Sequence, residues 1–155
     1  MRKHTLVLMT TIMVLALATM AIAADPHVGT WKLNVAKSKF HGPADNSSTA
    51  TFTAKDNGIS LVVDGVDANG KASHSEFTAK YDGKDYPLTG DPGTDTVSLK
   101  KIDANTWSEV LKKAGKEVGT GRNAVSKDGK TMTRTTKGKD AKGQAFNNTT
   151  VYDKQ

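Results

Sequence analysis

The sequence predicts an all-β chain: an antiparallel up-and-down meander of nine or ten strands closing into a barrel, with one short helix after the first strand. Three observations carry this. β-favouring runs of roughly 7 to 10 residues recur along the chain, set apart by short Gly-, Asp- and Asn-rich turns that accept the positive φ of hairpin turns at little cost. Nearly every run is joined to the next by such a turn, which imposes up-and-down connectivity. An open meander of that many strands would leave two bare edges and one unburied face, and closure removes both. A two-sheet sandwich of the same strands is the alternative.

Taken in order, the chain begins with a segment that is not read as part of the domain. Arg2-Lys3-His4 is a basic start, Leu6 to Met20 is apolar, and Ala21-Ile22-Ala23 fits a small-x-small cleavage site. Residues 1–23 therefore predict a secretory signal peptide, and residues 24–155 a single domain. An uncleaved anchor is disfavoured, because the apolar stretch contains three threonines and is followed by Asp25-Pro26 rather than by basic residues.

Val28 to Leu33 then reads as a strand and Val35 to Phe40 as a helix of one or two turns. Thr49 to Lys55 and Ile59 to Val66 flank Asp56-Asn57-Gly58, a hairpin turn, and Ala72 to Lys80 follows the Asn69-Gly70 turn. Asp85 to Leu88 is a short segment that Pro87 confines to an edge or rim. The last third is the most regular: Thr94 to Ile102, Thr106 to Lys112, Lys116 to Val125, Thr131 to Lys139 and Ala145 to Tyr152 are runs separated by four turns. Alternation puts Ile59, Leu61 and Val63 on one face, and likewise Trp107 with Leu111 and Phe77 with Ala79.

Composition excludes several classes. Removing 23 of the 155 residues leaves 132, enough for one core and too few for two domains. The shortened chain keeps 20 basic and 16 acidic side chains, a charge of about +4 spread thinly, unlike the basic stripe with interleaved aromatics of a nucleic-acid binder. With no cysteine there are no disulfides and no thiolate ligands, which for an exported domain suits a bacterial periplasm or medium. His27, His41 and His74 lack metal-ligand spacing, and neither a phosphate loop nor a nucleophile elbow is present. No metal, no cofactor and no nucleic acid are expected.

Gly29-Thr30-Trp31-Lys32-Leu33-Asn34, with Lys37-Ser38-Lys39-Phe40, resembles the opening of lipocalins and related calycin barrels. Together with Ala79 to Pro87 and Val125 to Thr133, it is similar to exported bacterial proteins with a lipocalin-like domain, across essentially the whole mature chain. The resemblance implies a lipocalin/fatty-acid-binding-like barrel whose Trp31, after Gly29, packs across the closed end. It also implies an Arg as a possible cation–π lid over that Trp. It supplies no catalytic residues.

For binding, attention falls on the C-terminal strands. Arg122 shares a face with Val118, Thr120 and Ala124; Arg134 with Met132 and Thr136; Tyr152 with Phe146, Asn148 and Thr150. The fatty-acid-binding relatives hold acidic ligands with inward Arg and Tyr, since a buried carboxylate needs a charge-assisted partner. Arg122, Arg134, Tyr152 and Trp107 are the ligand-binding candidates. The two arginines stand among 18 lysines in the mature chain, which suits a use of guanidinium geometry rather than of charge alone. The leading reading is a monomeric, non-catalytic carrier of a small amphipathic or apolar molecule. The alternatives are a protein that binds an envelope partner through its rim loops, Phe40 to Ser48 and Thr89 to Asp95, and an isomerase or hydratase built inside the barrel. His74 and Glu76 would be an acid/base pair for the last, although their strand face reads as solvated.

Overall fold

A computed structural model of the chain describes residues 24–41, 45–140 and 142–155. The signal peptide expected at residues 1–23 lies outside them. Ten antiparallel strands form one closed barrel. They are β1 (Gly29–Leu33), β2 (Ser47–Lys55), β3 (Gly58–Val66), β4 (Ala72–Lys80), β5 (Tyr86–Thr89), β6 (Thr96–Asp103), β7 (Thr106–Lys113), β8 (Lys116–Val125), β9 (Thr131–Lys139) and β10 (Ala145–Lys154). Each strand pairs with its neighbours in sequence, and β1 pairs with β10 to close the cylinder, with Trp31 opposite Lys154 and Leu33 opposite Tyr152.

The turns form where their residues permit unusual backbone angles. Asn57 takes a φ of 55° between β2 and β3, and Ala114 with Gly115 takes 50° and 75° between β7 and β8. The helix expected over Val35 to Phe40 is shorter than the sequence predicts, a single 3-10 turn at Val35–Lys37. The Asn34 side chain accepts from Lys37 N at 3.1 Å and starts the turn. An isolated bridge between Lys39 and Thr149 then draws the chain back into extended form beside β10.

Alternate residues fill the interior. Ile59, Phe77, Ala79, Val97, Leu99, Trp107 and Met132 are buried together with Trp31, Ala50 and Phe52 in one continuous core. At the end where β1 starts, Ile59, Ala79, Leu99 and Trp107 are all but fully buried. There Trp31 is fully buried and donates from Nε1 to the His27 carbonyl at 2.8 Å, while Lys154 Nζ lies 4.8 Å above its ring. The cation over Trp31 is thus Lys154 and not an arginine, because β10 ends directly across from β1 while the two mature-chain arginines lie on β8 and β9.

The segment before β1 completes this end. Asp25 Oδ1 accepts from His27 N at 3.0 Å and meets His27 Nδ1 at 2.9 Å, and Oδ2 accepts from Tyr81 Oη at 2.9 Å and Lys101 Nζ at 2.5 Å. Burial opposes the Asp25 charge, but these four donors outweigh it and hold the carboxyl well below the usual range. Tyr81 moves the other way, its phenol raised by burial and then by the Asp25 charge. His27 is fully buried, its ring 5.6 Å from that of Trp107 and 6.3 Å from that of Phe52. The carboxylate that His27 meets lies two residues before it, in the segment ahead of β1, where no strand periodicity marks the pair.

Candidate functional site

From Trp107 toward the other end of the barrel, strand register builds a polar constellation. On β7 the inward residues are Trp107, Glu109 and Leu111. Across the β7–β8 ladder Trp107 faces Asn123 and Glu109 faces Gly121; across β8–β9, Asn123 faces Arg134. Trp107, Asn123 and Arg134 therefore form one row around the wall, and Glu109 stands one step toward the mouth. Gly121 makes the next contact possible. A Cβ there would collide with the Glu109 carboxylate, so the glycine leaves the space into which Glu109 leans.

Glu109 leans toward Arg134. Its Oε1 accepts from Arg134 Nε at 2.8 Å and lies 2.5 Å from a terminal guanidinium nitrogen. The Glu109 side chain is 2% exposed and that of Arg134 36%, so the pair bridges the buried interior and the mouth. Burial works against the guanidinium charge, and the facing Glu109 carboxylate more than offsets it, leaving Arg134 protonated more firmly than a free arginine. Asp91, from the loop between β5 and β6, adds a second carboxylate to its surroundings.

A cavity of about 90 Å³ adjoins this pair, lined by residues that include Phe52, Leu61, Phe77, Leu88, Trp107, Asn123, Met132 and Tyr152. Arg134, Leu111 and Asp91 also border a wider mouth of about 440 Å³ between the β5–β6 loop and the ends of β8 to β10, where Pro92, Val118 and Phe146 supply apolar wall. Two polar atoms of the lining residues are buried with no hydrogen-bond partner among the described residues: Trp107 Nε1, a donor, and Asn123 Oδ1, an acceptor. Native proteins rarely leave such groups unsatisfied.

Of the candidates from sequence, Arg134, Trp107 and Tyr152 line this cavity. Arg122 does not. It is exposed on the outer wall, where it borders a shallow groove with Thr120, Thr135 and Lys137. The inward set of β8 is Gly119, Gly121, Asn123 and Val125, and its glycines left that face looking empty beside the bulkier alternate set. Val118 reaches the mouth only because a bulge shifts the register, Leu111 pairing with Gly119 and Lys112 with Glu117. His74 stands on the outer wall opposite Asp64, with Nδ1 2.6 Å from the carboxylate, which raises its pKa. Sequence reasoning missed Glu109 and Asn123. A single charge between Trp107 and Leu111 on an alternating strand was the available signal.

No known protein-family model matches the chain, and no curated protein matches it. Among solved structures, it is similar to the zebrafish ileal bile acid-binding protein complexed with cholic acid: 9% identity, 84% of this chain and 99% of that one, TM-score 0.54. It also aligns with EF1p2_mFAP2b bound to DFHBI, at 12% identity over 86% of this chain and 97% of that one, TM-score 0.48. The architecture is that of a calycin-type barrel.

Proposed function

We propose that this protein is an exported, monomeric carrier that holds a small amphipathic or apolar molecule inside its barrel, reversibly, without a cofactor and without chemistry. The observation that carries the reading is the interior cavity itself, whose apolar wall of Phe52, Leu61, Phe77 and Met132 also carries Asn123, Arg134 and Tyr152 and which leads to an open mouth. An apolar wall with a few polar side chains matches the pattern of ligand sites, in which a few placed polar groups orient a mostly apolar guest. The bile acid-binding protein with the same architecture was captured with cholic acid. The interior here, about 90 Å³ before the mouth is counted, suits a smaller guest.

Neither alternative gains an observation. The enzyme reading needs a free acid and base in the cavity, whereas Glu109 is committed to Arg134 and His74 faces outward. Partner binding at the rim calls for an apolar patch there. The large exposed hydrophobics among the described residues, Val35 and Ile102, lie on the 3-10 turn and near the opposite end of the barrel. Export to the periplasm or medium rests on residues 1–23.

Native mass spectrometry of the protein released gently from the envelope of its source cells tests the proposal. A small molecule at fixed stoichiometry, lost in Arg134→Ala, is the expected result, on a polypeptide whose mass begins at Ala24. A clean apo mass that small amphipathic additives do not change overturns it.

A further inference from the structure

The positive charge of the mature chain is thin along the sequence, but strand register gathers part of it on one side of the barrel. Lys100, Ser108, Arg122, Thr135, Thr149 and Lys39 are successive partners across the outer face of β6 to β10 and the Lys39 bridge. In the adjoining row Val110, Thr120, Lys137 and Asn147 are partners in turn. At about 4.8 Å per strand the first row runs roughly 24 Å round the wall, and Arg122 and Lys137 are diagonal neighbours about 7 to 8 Å apart. Neither row contains a carboxylate, and among the described residues neither Arg122 nor Lys137 has an ion-pair partner. The wall on the far side differs, for Asp64 and Glu76 stand on the outer face of β3 and β4, where Asp64 meets His74.

We infer that this outer wall, centred on β8 and β9, is a docking surface for an acidic polysaccharide. The inference is independent of the carrier reading, because it uses the outside of the barrel. A groove of about 290 Å³ lies where Thr120, Arg122, Thr135, Lys137 and Asn147 meet. Its guanidinium and ammonium suit the carboxylates of such a polymer, and the hydroxyls and amide between them can both donate to and accept from sugar hydroxyls. The carboxylates that border the two rows lie at their margins. Asp82 stands opposite Lys100 and accepts from Lys84 N and Tyr86 Oη; Asp103, at the end of β6, feels the Arg122 charge; Asp153 is held by Lys37 and Asn34; Glu117 and Asp85 flank Lys112. No aromatic side chain stands in either row to stack on a nucleic-acid base, and the exposed Val35 and Ile102 stand singly outside both rows rather than as an apolar face for a lipid surface.

Polygalacturonate titrated into the mature protein by calorimetry tests this, with neutral dextran, duplex DNA and phosphatidylglycerol vesicles for comparison. Polygalacturonate should bind at low ionic strength and be released by salt, and dextran should not bind. Arg122→Glu/Lys137→Glu should weaken binding about tenfold or more. Lys55→Glu/Lys80→Glu, which makes the same change in net charge at exposed positions near the end of the barrel where β1 starts, should weaken it less than about threefold. Should the double reversal not fold, Arg122→Gln/Lys137→Gln removes the same two charges and should still weaken binding more than Lys55→Gln/Lys80→Gln. Equal losses from the two pairs overturn the inference, since net charge alone would then explain the binding. Duplex DNA or vesicles held as tightly as polygalacturonate overturn it too, as does the absence of any polygalacturonate binding. Each of these outcomes leaves the carrier reading to the native mass.

Discussion

The Glu109–Arg134 pair is exposed at one end only, and that asymmetry has a measurable consequence. Arg134→Met keeps the apolar stem and removes the charge. A charge-assisted hydrogen bond of 2.8 Å and a second ion-pair contact of 2.5 Å are lost, and the Glu109 carboxylate is left 2% exposed. Orphaning one member of a buried pair costs about 3 to 5 kcal/mol; because the neck opens toward water, the low end, about 3 kcal/mol, applies here. Glu109→Gln is the milder change. It strands a guanidinium whose side chain is 36% exposed and can turn to solvent, and the amide still accepts a hydrogen bond, so about 1 kcal/mol is expected. The double replacement Arg134→Met/Glu109→Leu should recover most of the loss, since neither charge remains buried. Urea unfolding followed by tryptophan fluorescence gives these differences if the slopes agree, and Arg134→Met should melt roughly 10 °C lower. A Glu109→Gln variant as unstable as Arg134→Met, or a double variant worse than both, would refute the argument that the carboxylate is the buried partner.

Other perturbations follow from the same structure. Asp25 has a depressed pKa when folded, so its contribution is present above the unfolded value of about 3.9 and is lost as pH falls toward the folded value. Urea midpoints between about pH 5 and 2 should therefore fall more steeply for the unaltered protein than for Asp25→Asn, and equal slopes would contradict the assignment. The raised pKa of His74 makes its contribution greatest below the unfolded value of 6.5 and lost as pH rises through the folded one. NMR titration should place His74 above 6.5, and Asp64→Asn should bring it back toward that value. Gly121→Ala, whose Cβ would meet the Glu109 carboxylate, should cost about 1 to 3 kcal/mol, whereas alanine at exposed Lys116 on the same strand should be near neutral.

The strands were legible because their limits are set locally. Asn57, Gly70, Gly115, Gly129 and Gly143 all adopt the positive φ that their residue types favour, and those positions fix the hairpins. The 3-10 turn was overestimated because Lys and Ala favour helix while the competing bridge from Lys39 to Thr149 comes from more than 100 residues away. Which face of a strand turns inward is a tertiary fact. Met132, Arg134 and Thr136 were grouped by alternation, and the same reasoning applied to β8 chose the outer set containing Arg122. The buried place of His27 is not written in any periodicity, for it depends on Asp25, Tyr81 and Lys101 meeting from three separate parts of the chain.

The closure of β1 on β10 also bears on how the molecule assembles. Nine of the ten seams join strands adjacent in sequence, and those joined by tight turns can form as local hairpins on a timescale of microseconds. The tenth brings Trp31 to Lys154, about 120 residues apart, and has to overcome the entropy of ordering everything between them. Hairpins should therefore gain protection from amide exchange early in refolding, with the β1–β10 seam last and rate-limiting, as the dependence of folding speed on sequence separation requires. Until that seam forms, Trp31 has no roof from Lys154, and the chain is a curved open sheet with two unpaired edges. That species is the one most exposed to intermolecular strand pairing.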